Sequence, residues 1–205
     1  MRRIHVVSAI ALGLAVAGGC SSRAGSTEGS HDGDGGGEPQ DAASSDGAGS
    51  GDSASTPYDQ FQVHNLDVVN TYRATLNIAP LVLDQQMCAF ALAGSQELSM
   101  DHTPHEHFIN AYDDGSILSY GFGDMLAENQ GDPNGWTLLA LNPTTNELDQ
   151  IDATLKYMFD EGPGTDDGGQ EHDHYVNMMN PVYTRLGVGL LEVAGRLYLT
   201  NDFSD

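Results

Sequence analysis

Between Ser21 and Thr56 the chain is Gly, Ser, Asp and Ala with almost nothing to bury, and this stretch confines any folded domain to the residues after it. A segment with so few apolar side chains cannot offset the conformational entropy lost on ordering, so residues 20–56 read as a flexible tether whose function is reach. The run Asp32-Gly-Asp34-Gly-Gly-Gly-Glu38 glances at a calcium loop. It lacks the Asp or Asn at the fifth position, the Glu at the twelfth and the flanking helices, and reads as solvated linker. What remains, residues 57–205, has room for a single core at roughly 100–200 residues per domain.

Ahead of the tether, Met1-Arg2-Arg3 is a short basic start and Ile4 to Ala17 an apolar run. Its length suits the core of a signal peptide and falls short of the ~20 residues that a spanning helix needs. Ala17-Gly18-Gly19-Cys20-Ser21 then resembles a bacterial lipoprotein signal. Residues 1–19 are expected to be removed and Cys20 to become the lipidated first residue. An ordinary secretory signal cut near Gly19 is the alternative. Both export the protein, and the first makes the membrane its partner, on the periplasmic or cell-surface side of the envelope.

Charge excludes a further class. Against 30 Asp+Glu stand 7 Lys+Arg, a formal net charge of −23. A nucleic-acid binder needs the opposite excess to neutralise phosphates, so cations or cationic partners are favoured. The tether holds seven of the acids, leaving 23 in the domain against Arg73, Lys156, Arg185 and Arg196. Two cysteines make no disulfide scaffold. Cys88, without a partner, reads as a small buried hydrophobe with no assigned chemistry.

Within the domain, Thr56-Pro57 followed by Asp59 signals a helix start, with a capping hydroxyl, a proline in the first turn and an acid at the positive end of the dipole. Phe61, Asn65, Val68 or Val69, Tyr72 and Leu76 recur at helical spacing, so the first helix is expected from about Tyr58 to Leu76. A second begins at Asp84 and aligns Met87, Phe90, Ala91, Gly94 and Leu98, with Gly94 marking a close backbone contact. Thr144-Thr145-Asn146-Glu147 reads as a capping box opening a third helix through Leu148, Ile151, Leu155 and Met158, which ends at Glu161-Gly162-Pro163-Gly164. Leu186 to Val193 and Leu197 to Thr200 form a hairpin across Ala194-Gly195-Arg196. Helices first and a hairpin last point to an α+β fold with helices packed on a small antiparallel sheet.

Five of the eight histidines fall in two blocks, His102-Thr-Pro-His105-Glu-His107 and His172-Asp-His174. Imidazole titrates near neutral pH and is the commonest ligand for divalent metals, so histidines gathered with carboxylates are the material of a metal or acid/base site. In the first block, His105 and His107 share a side if the segment is extended, whereas His102 and His105 share one if it is helical. Glu128-Asn129 precedes the turn Asp132 to Gly135, whose chemistry accounts for the turn but not for Glu128. Glu161 closes the third helix where an acid opposes the dipole, so another group should hold it. Glu147 is explained by its capping box.

Asn70-Thr-Tyr-Arg73, Leu83-Asp84, Glu128-Asn129, His174-Tyr175 and Arg185-Leu-Gly187-Val-Gly189, in this order, resemble the CAP superfamily: the cysteine-rich secretory, antigen 5 and plant pathogenesis-related proteins and their bacterial SCP-like extracellular domains. The resemblance spans about Tyr58 to Asp205, with Asn177 where Gln or Ala is usual and Gln130 in place of an aliphatic residue. It implies a three-layer α-β-α sandwich whose cleft carries two histidines and two glutamates. Position by position it implies Glu128, Glu161 and His174; the other histidine comes from the first block, His107 first and His105 second. Some relatives bind a divalent cation through the histidine pair, and others bind sterols, fatty acids or proteins.

The sequence thus supports an exported, lipid-anchored domain whose cleft (His107 or His105, His174, Glu128 and Glu161) binds Zn or another divalent cation and a small or lipidic ligand. A metal-dependent hydrolase would use the same residues, with Glu128 or Glu161 as general base on bound water. No H-E-x-x-H or other hydrolytic signature is present. A structural protein of the cell envelope rests on the lipid signal and tether alone.

Overall fold

In the computed structural model the described residues are 58–135, 146–164 and 172–205. The expected signal peptide, Cys20, the expected tether, Thr56-Pro57 and Thr144-Thr145 lie outside them. Along the chain come α1 (Gln60–Thr75), β1 (Val82–Leu83), α2 (Gln85–Asp101), α3 (Glu106–Asp113), a 3-10 turn (Ser116–Tyr120), β2 (Leu126–Gly131), α4 (Glu147–Asp160), α5 (Asp173–Met178), β3 (Arg185–Val193) and β4 (Arg196–Ser204). The four strands form one sheet in the order β1-β3-β4-β2. The sheet is mixed rather than wholly antiparallel, because the two-residue β1 runs parallel to β3 while β3, β4 and β2 are antiparallel. Ala194 and Gly195 turn the expected hairpin with φ of +52° and +77°, the left-handed pair that a tight turn between twisted strands requires.

Two helix starts differ from their sequence reading. Asp59 caps α1, accepting from the Phe61 and Gln62 amides at 2.9 and 2.8 Å, while Gln62 reaches back to the Asp59 amide. At α4 the cap is Asn146, whose side chain accepts from the Leu148 and Asp149 amides. Glu147 is therefore the first helical residue, suited by its charge to the dipole, and not the closing member of a capping box. Asp84 caps α2 as read.

Alternation along the strands assigns the two faces of the sheet. Leu186, Val188, Leu199 and Phe203 point to one face and pack with Val69 of α1, Ile151, Leu155 and Met158 of α4, and Tyr175 and Met178 of α5. Gly187 and Gly189 point to the other, where a Cβ would lie 2.5 Å from the Met87 carbonyl carbon and 2.1 Å from that of Ala91. The backbone of α2 thus rests directly on β3, as only glycine allows. Phe90, Phe108, Ala111, Ile117, Phe122 and Leu126 fill a second cluster on this side. The result is the three-layer α-β-α sandwich.

Helix α1 keeps the expected stripe from Phe61 through Tyr72, with Phe61, Val68 and Tyr72 packed against the core, and departs from it at Arg73 and Leu76. Its buried residues are Asn65, Val69 and Arg73, while Leu76 and, on α4, Leu148 are exposed. Arg73 is completely buried and, among the described residues, meets no carboxylate: Nε donates to the Ala79 carbonyl at 2.9 Å, and the two terminal nitrogens donate to Met178 (2.8 Å), Asn180 (3.0 Å) and Tyr183 (3.0 Å). One guanidinium thereby fastens α1 to the end of α5 and the approach to β3. The fork of five donors suits this role where an ammonium does not.

Adding a methyl group at Gly189 must push α2 off the sheet. Overpacking of this kind costs roughly 1–3 kcal/mol and occasionally more, so Gly189→Ala should lower the unfolding free energy by at least that amount, seen as a lower urea midpoint with an unchanged denaturant slope. An unchanged midpoint would show that α2 does not bear on β3 at this position.

Candidate functional site

Between α2 and α3 the chain is neither extended nor helical. His102 and His105 both adopt left-handed backbone conformations, at φ of +57° and +69°, and the three histidines of the block diverge to three carboxylates. His102 Nδ1 lies 3.1 Å from Asp132, His105 Nδ1 2.9 Å from Glu128 and His107 Nδ1 3.1 Å from Glu97 of α2. A left-handed conformation costs a β-carbon residue roughly 1–2 kcal/mol. At His105 it is offset by the backbone amide, which donates to Gln130 Oε1 at 2.7 Å, and by the ring's bond to Glu128.

Glu128 and Asn129 are consecutive on β2, so they serve opposite faces of the sheet. Glu128 points toward α2, where Gly94 leaves the space: a Cβ there would stand 3.6 Å from Glu128 Oε2 and from the His107 ring. The close backbone contact expected at Gly94 is not found: the nearest atoms are side chains, at ordinary van der Waals distance from a Cβ. Asn129 points to the other face, donating to the His174 carbonyl at 3.0 Å and accepting from Asn177 at 2.9 Å. Asn177 also reaches the Glu128 carbonyl at 3.4 Å. The segment read as an amide and acid before a turn is in fact a strand buried along its whole length.

On that second face Glu161 meets the need that its position announced. Its carboxylate leaves the end of α4 and accepts from His174 Nδ1 at 2.5 Å and from the backbone amides of His174 and Tyr175 at 3.1 and 3.4 Å. The acid that opposes its own helix thus sits at the start of α5, where negative charge is favourable. Both pairs are dry: side-chain exposure is 11% for His105 and 1% for Glu128, 7% for His174 and 8% for Glu161. A carboxylate only accepts, so in each pair Nδ1 is the donor, and in the neutral ring the lone pair is then on Nε2.

Of the residues singled out from sequence, then, the structure joins Glu128 to His105 and Glu161 to His174. His107, the first choice, pairs with Glu97 and packs its ring 4.5 Å from Phe90; His105, the second choice, is the one that meets Glu128. The two pairs flank β2, which ends the sheet order, and Asn129 and Asn177 link them. Among the described residues the group whose ligand atoms all lie within 4.8 Å is a different one, Glu97, Asp101 and Glu106. Glu128 and Glu161 therefore act here as holders of imidazole. Cys88 is inert: burial pushes its thiol up to about 11. A cavity of about 60 Å³ beside the 3-10 turn, lined by Tyr112, Ile117, Leu118, Asp124 and Leu126 among others, lies well below the ~300 Å³ of a drug-sized ligand site.

Sequence reading missed Gln130, Asn177, Glu97 and Asp202 as parts of the site. For Gln130 and Asn177 the signal was present as departures from the family pattern. Asp202 was lost when the last strand was ended at Thr200, since Asn201 and Asp202 look like a polar turn and are completely buried.

The model of the CAP family, described as the cysteine-rich secretory protein family, matches residues 66–203. Among solved structures, similarity extends to an extracellular protein of Bacillus anthracis containing an SCP domain (18% identity, 69% of this chain and 39% of that one, TM-score 0.45). Others are Schistosoma mansoni venom allergen-like protein 4 (12%, 72% and 89%, 0.49) and NaASP2, whose structure was determined with Zn2+ (12%, 71% and 80%, 0.47). This chain spans about two fifths of the first of these proteins. A search of curated proteins finds no match.

Removing the Glu161 carboxylate strands the His174 ring and two amides at once. Glu161→Ala should destabilise the domain by about 1–3 kcal/mol, the range for an unsatisfied buried donor, read by thermal or urea unfolding. A change below about 0.5 kcal/mol would mean that α5 does not depend on this carboxylate.

Proposed function

The chain belongs to the CAP family of cysteine-rich secretory proteins, and on that premise we propose that it is an exported, lipid-anchored binding module whose His–Glu pairs take a divalent cation, and with it a small or lipidic ligand. One observation carries the reading: two dry histidines on opposite sides of β2 each give Nδ1 to a glutamate. This is the arrangement that fixes the ring and raises its basicity when the other nitrogen ligates a metal. His105 and His174 are the proposed ligands, with Glu128 and Glu161 behind them. Zn suits imidazole, and the acidic domain raises the local cation concentration.

A binding role is preferred to hydrolysis because both glutamates are already engaged with imidazole. A general base on metal-bound water needs a carboxylate in reach of that water. Export and anchoring rest on the sequence: the basic start, the apolar run and Gly18-Gly19-Cys20. Two acyl chains give the stable anchoring that one does not, and the tether then sets the domain's reach.

Calorimetry with Zn tests the site. His105→Ala and His174→Ala should abolish the binding isotherm, His107→Ala should leave it, and Glu161→Gln should weaken it about 10–100-fold, the usual effect of losing a carboxylate behind a ligand. Affinity should fall as acid protonates imidazole, which must be neutral to ligate. Equal heats from the wild type and both alanine variants would place the metal on the acidic surface and remove the assignment. Cys20→Ser should release the protein into the soluble fraction. A variant that stays with the membrane contradicts the lipid anchor.

A further inference from the structure

Two imidazoles lie within reach of Glu128, and only one of them is bonded to it. His105 Nδ1 meets Glu128 Oε1 at 2.9 Å. A Cβ built on Gly94 would stand 3.6 Å from Glu128 Oε2, 3.6 Å from Cδ2 of the His107 ring and 3.4 Å from Gln130 Nε2, so all three border one space beside α2. His107 Nε2, bonded to that Cδ2, is buried and has no hydrogen-bond partner among the described residues. The His107 ring is thus the alternative partner at hand. We propose that Gln130 is the positioning residue that makes His105, rather than His107, the partner of Glu128.

Glu128 and Gln130 alternate with Asn129 along β2 and so share a face of the sheet. The Gln130 amide has one end that only accepts and one that only donates, and each end serves a different member of the pair. Its Oε1 accepts the His105 backbone N–H at 2.7 Å. His105 is the N-cap residue of α3, at φ of +69°, a conformation that a β-carbon disfavours and that this bond holds in place. Its Nε2 donates to Glu128 Oε2 at 3.4 Å, which keeps that oxygen engaged on the side where His107 lies. The amide is itself anchored. Nε2 also donates to Thr200 Oγ1 at 3.2 Å, directly opposite in the strand register, and Thr200 accepts from Ser95 of α2 at 2.8 Å. A methionine of similar length would fill the same space and offer none of these bonds, releasing the His105 backbone and freeing Glu128 for the ring two residues on.

The role rests on the proposed cation site for its functional meaning, but the pairing is read without metal. In metal-free full-length Gln130→Met, NMR should show the His105 Nδ1 proton leaving its carboxylate-bonded position, and nuclear Overhauser contacts to the Glu128 methylenes passing from His105 to His107. His174, on the other face of β2, should keep its wild-type spectrum, whereas general loss of structure would move all three rings. Should Gln130→Met fold poorly, Thr200→Val removes only the anchor of the amide, and should broaden the His105 and His107 signals while sparing His174. A His105–Glu128 pair unchanged in Gln130→Met, or in Thr200→Val where that is the variant that folds, overturns the proposal. Zn calorimetry supplies the link to function: Gln130→Met should weaken binding about 10–100-fold, the usual effect of losing a group behind a ligand. A wild type that takes no Zn would remove the metal reading and leave the NMR comparison to decide the role of Gln130.

Discussion

The contact on which the rest of the molecule depends is the bare backbone of α2 lying on Gly187 and Gly189. With carbonyl carbons 2.1–2.5 Å from where a Cβ would sit, the helix lies closer to β3 than any side chain there would permit. Ser95 locks it in register, bonding the Gly189 carbonyl at 3.0 Å and Thr200 at 2.8 Å. From that fixed helix follow the place of Gly94 above Glu128 and the exit of the chain at His102. The left-handed steps at His102 and His105 then deliver each imidazole of the block to its own carboxylate. Packing on the sheet is thus the cause of the histidine geometry.

The edge strand β2 performs the complementary task. Because successive residues face opposite ways, a Glu-Asn dipeptide serves both layers at once, Glu128 holding His105 beneath α2 and Asn129 holding the backbone of His174 on α5. Arg73 secures the same region from behind through the carbonyls of Met178, Asn180 and Tyr183. A domain with 23 acids and four bases buries one of its few cations entirely, pairing it among the described residues with carbonyls and with no acid. Glu128, Asp132 and Glu161 are matched instead to imidazole and, for the last two, to backbone amides as well.

Much of this was legible in the sequence, for reasons that differ by residue. The glycine pair, Asn70, Arg73 and the Glu-Asn and His-Tyr dipeptides are motifs because their chemistry is specific: Asn70 clamps both backbone groups of Leu81 at 2.8 and 3.0 Å, and no apolar residue does that. Glu161 was legible from a conflict with the dipole of its own helix. The choice between His105 and His107 was not, because it turns on two left-handed residues between helices, which periodicity does not register. Strand β2 and the end of β4 were missed because both are polar yet buried, so a reading that equates strands with apolar alternation stops short of the residues that build the site. On α1 the stripe was legible as far as Tyr72, and Arg73 was left out of it for the same reason, being charged yet fully buried.

The central claim is that His105 and His174 are each held through Nδ1 by a glutamate, so that the neutral ring carries its lone pair on Nε2. Long-range proton–nitrogen NMR of the metal-free protein at neutral pH reads the tautomer of each ring directly. The account predicts the Nδ1–H form for both His105 and His174, with the two Nδ1 protons shifted far downfield by their carboxylates. Finding the proton on Nε2 in either ring would contradict it.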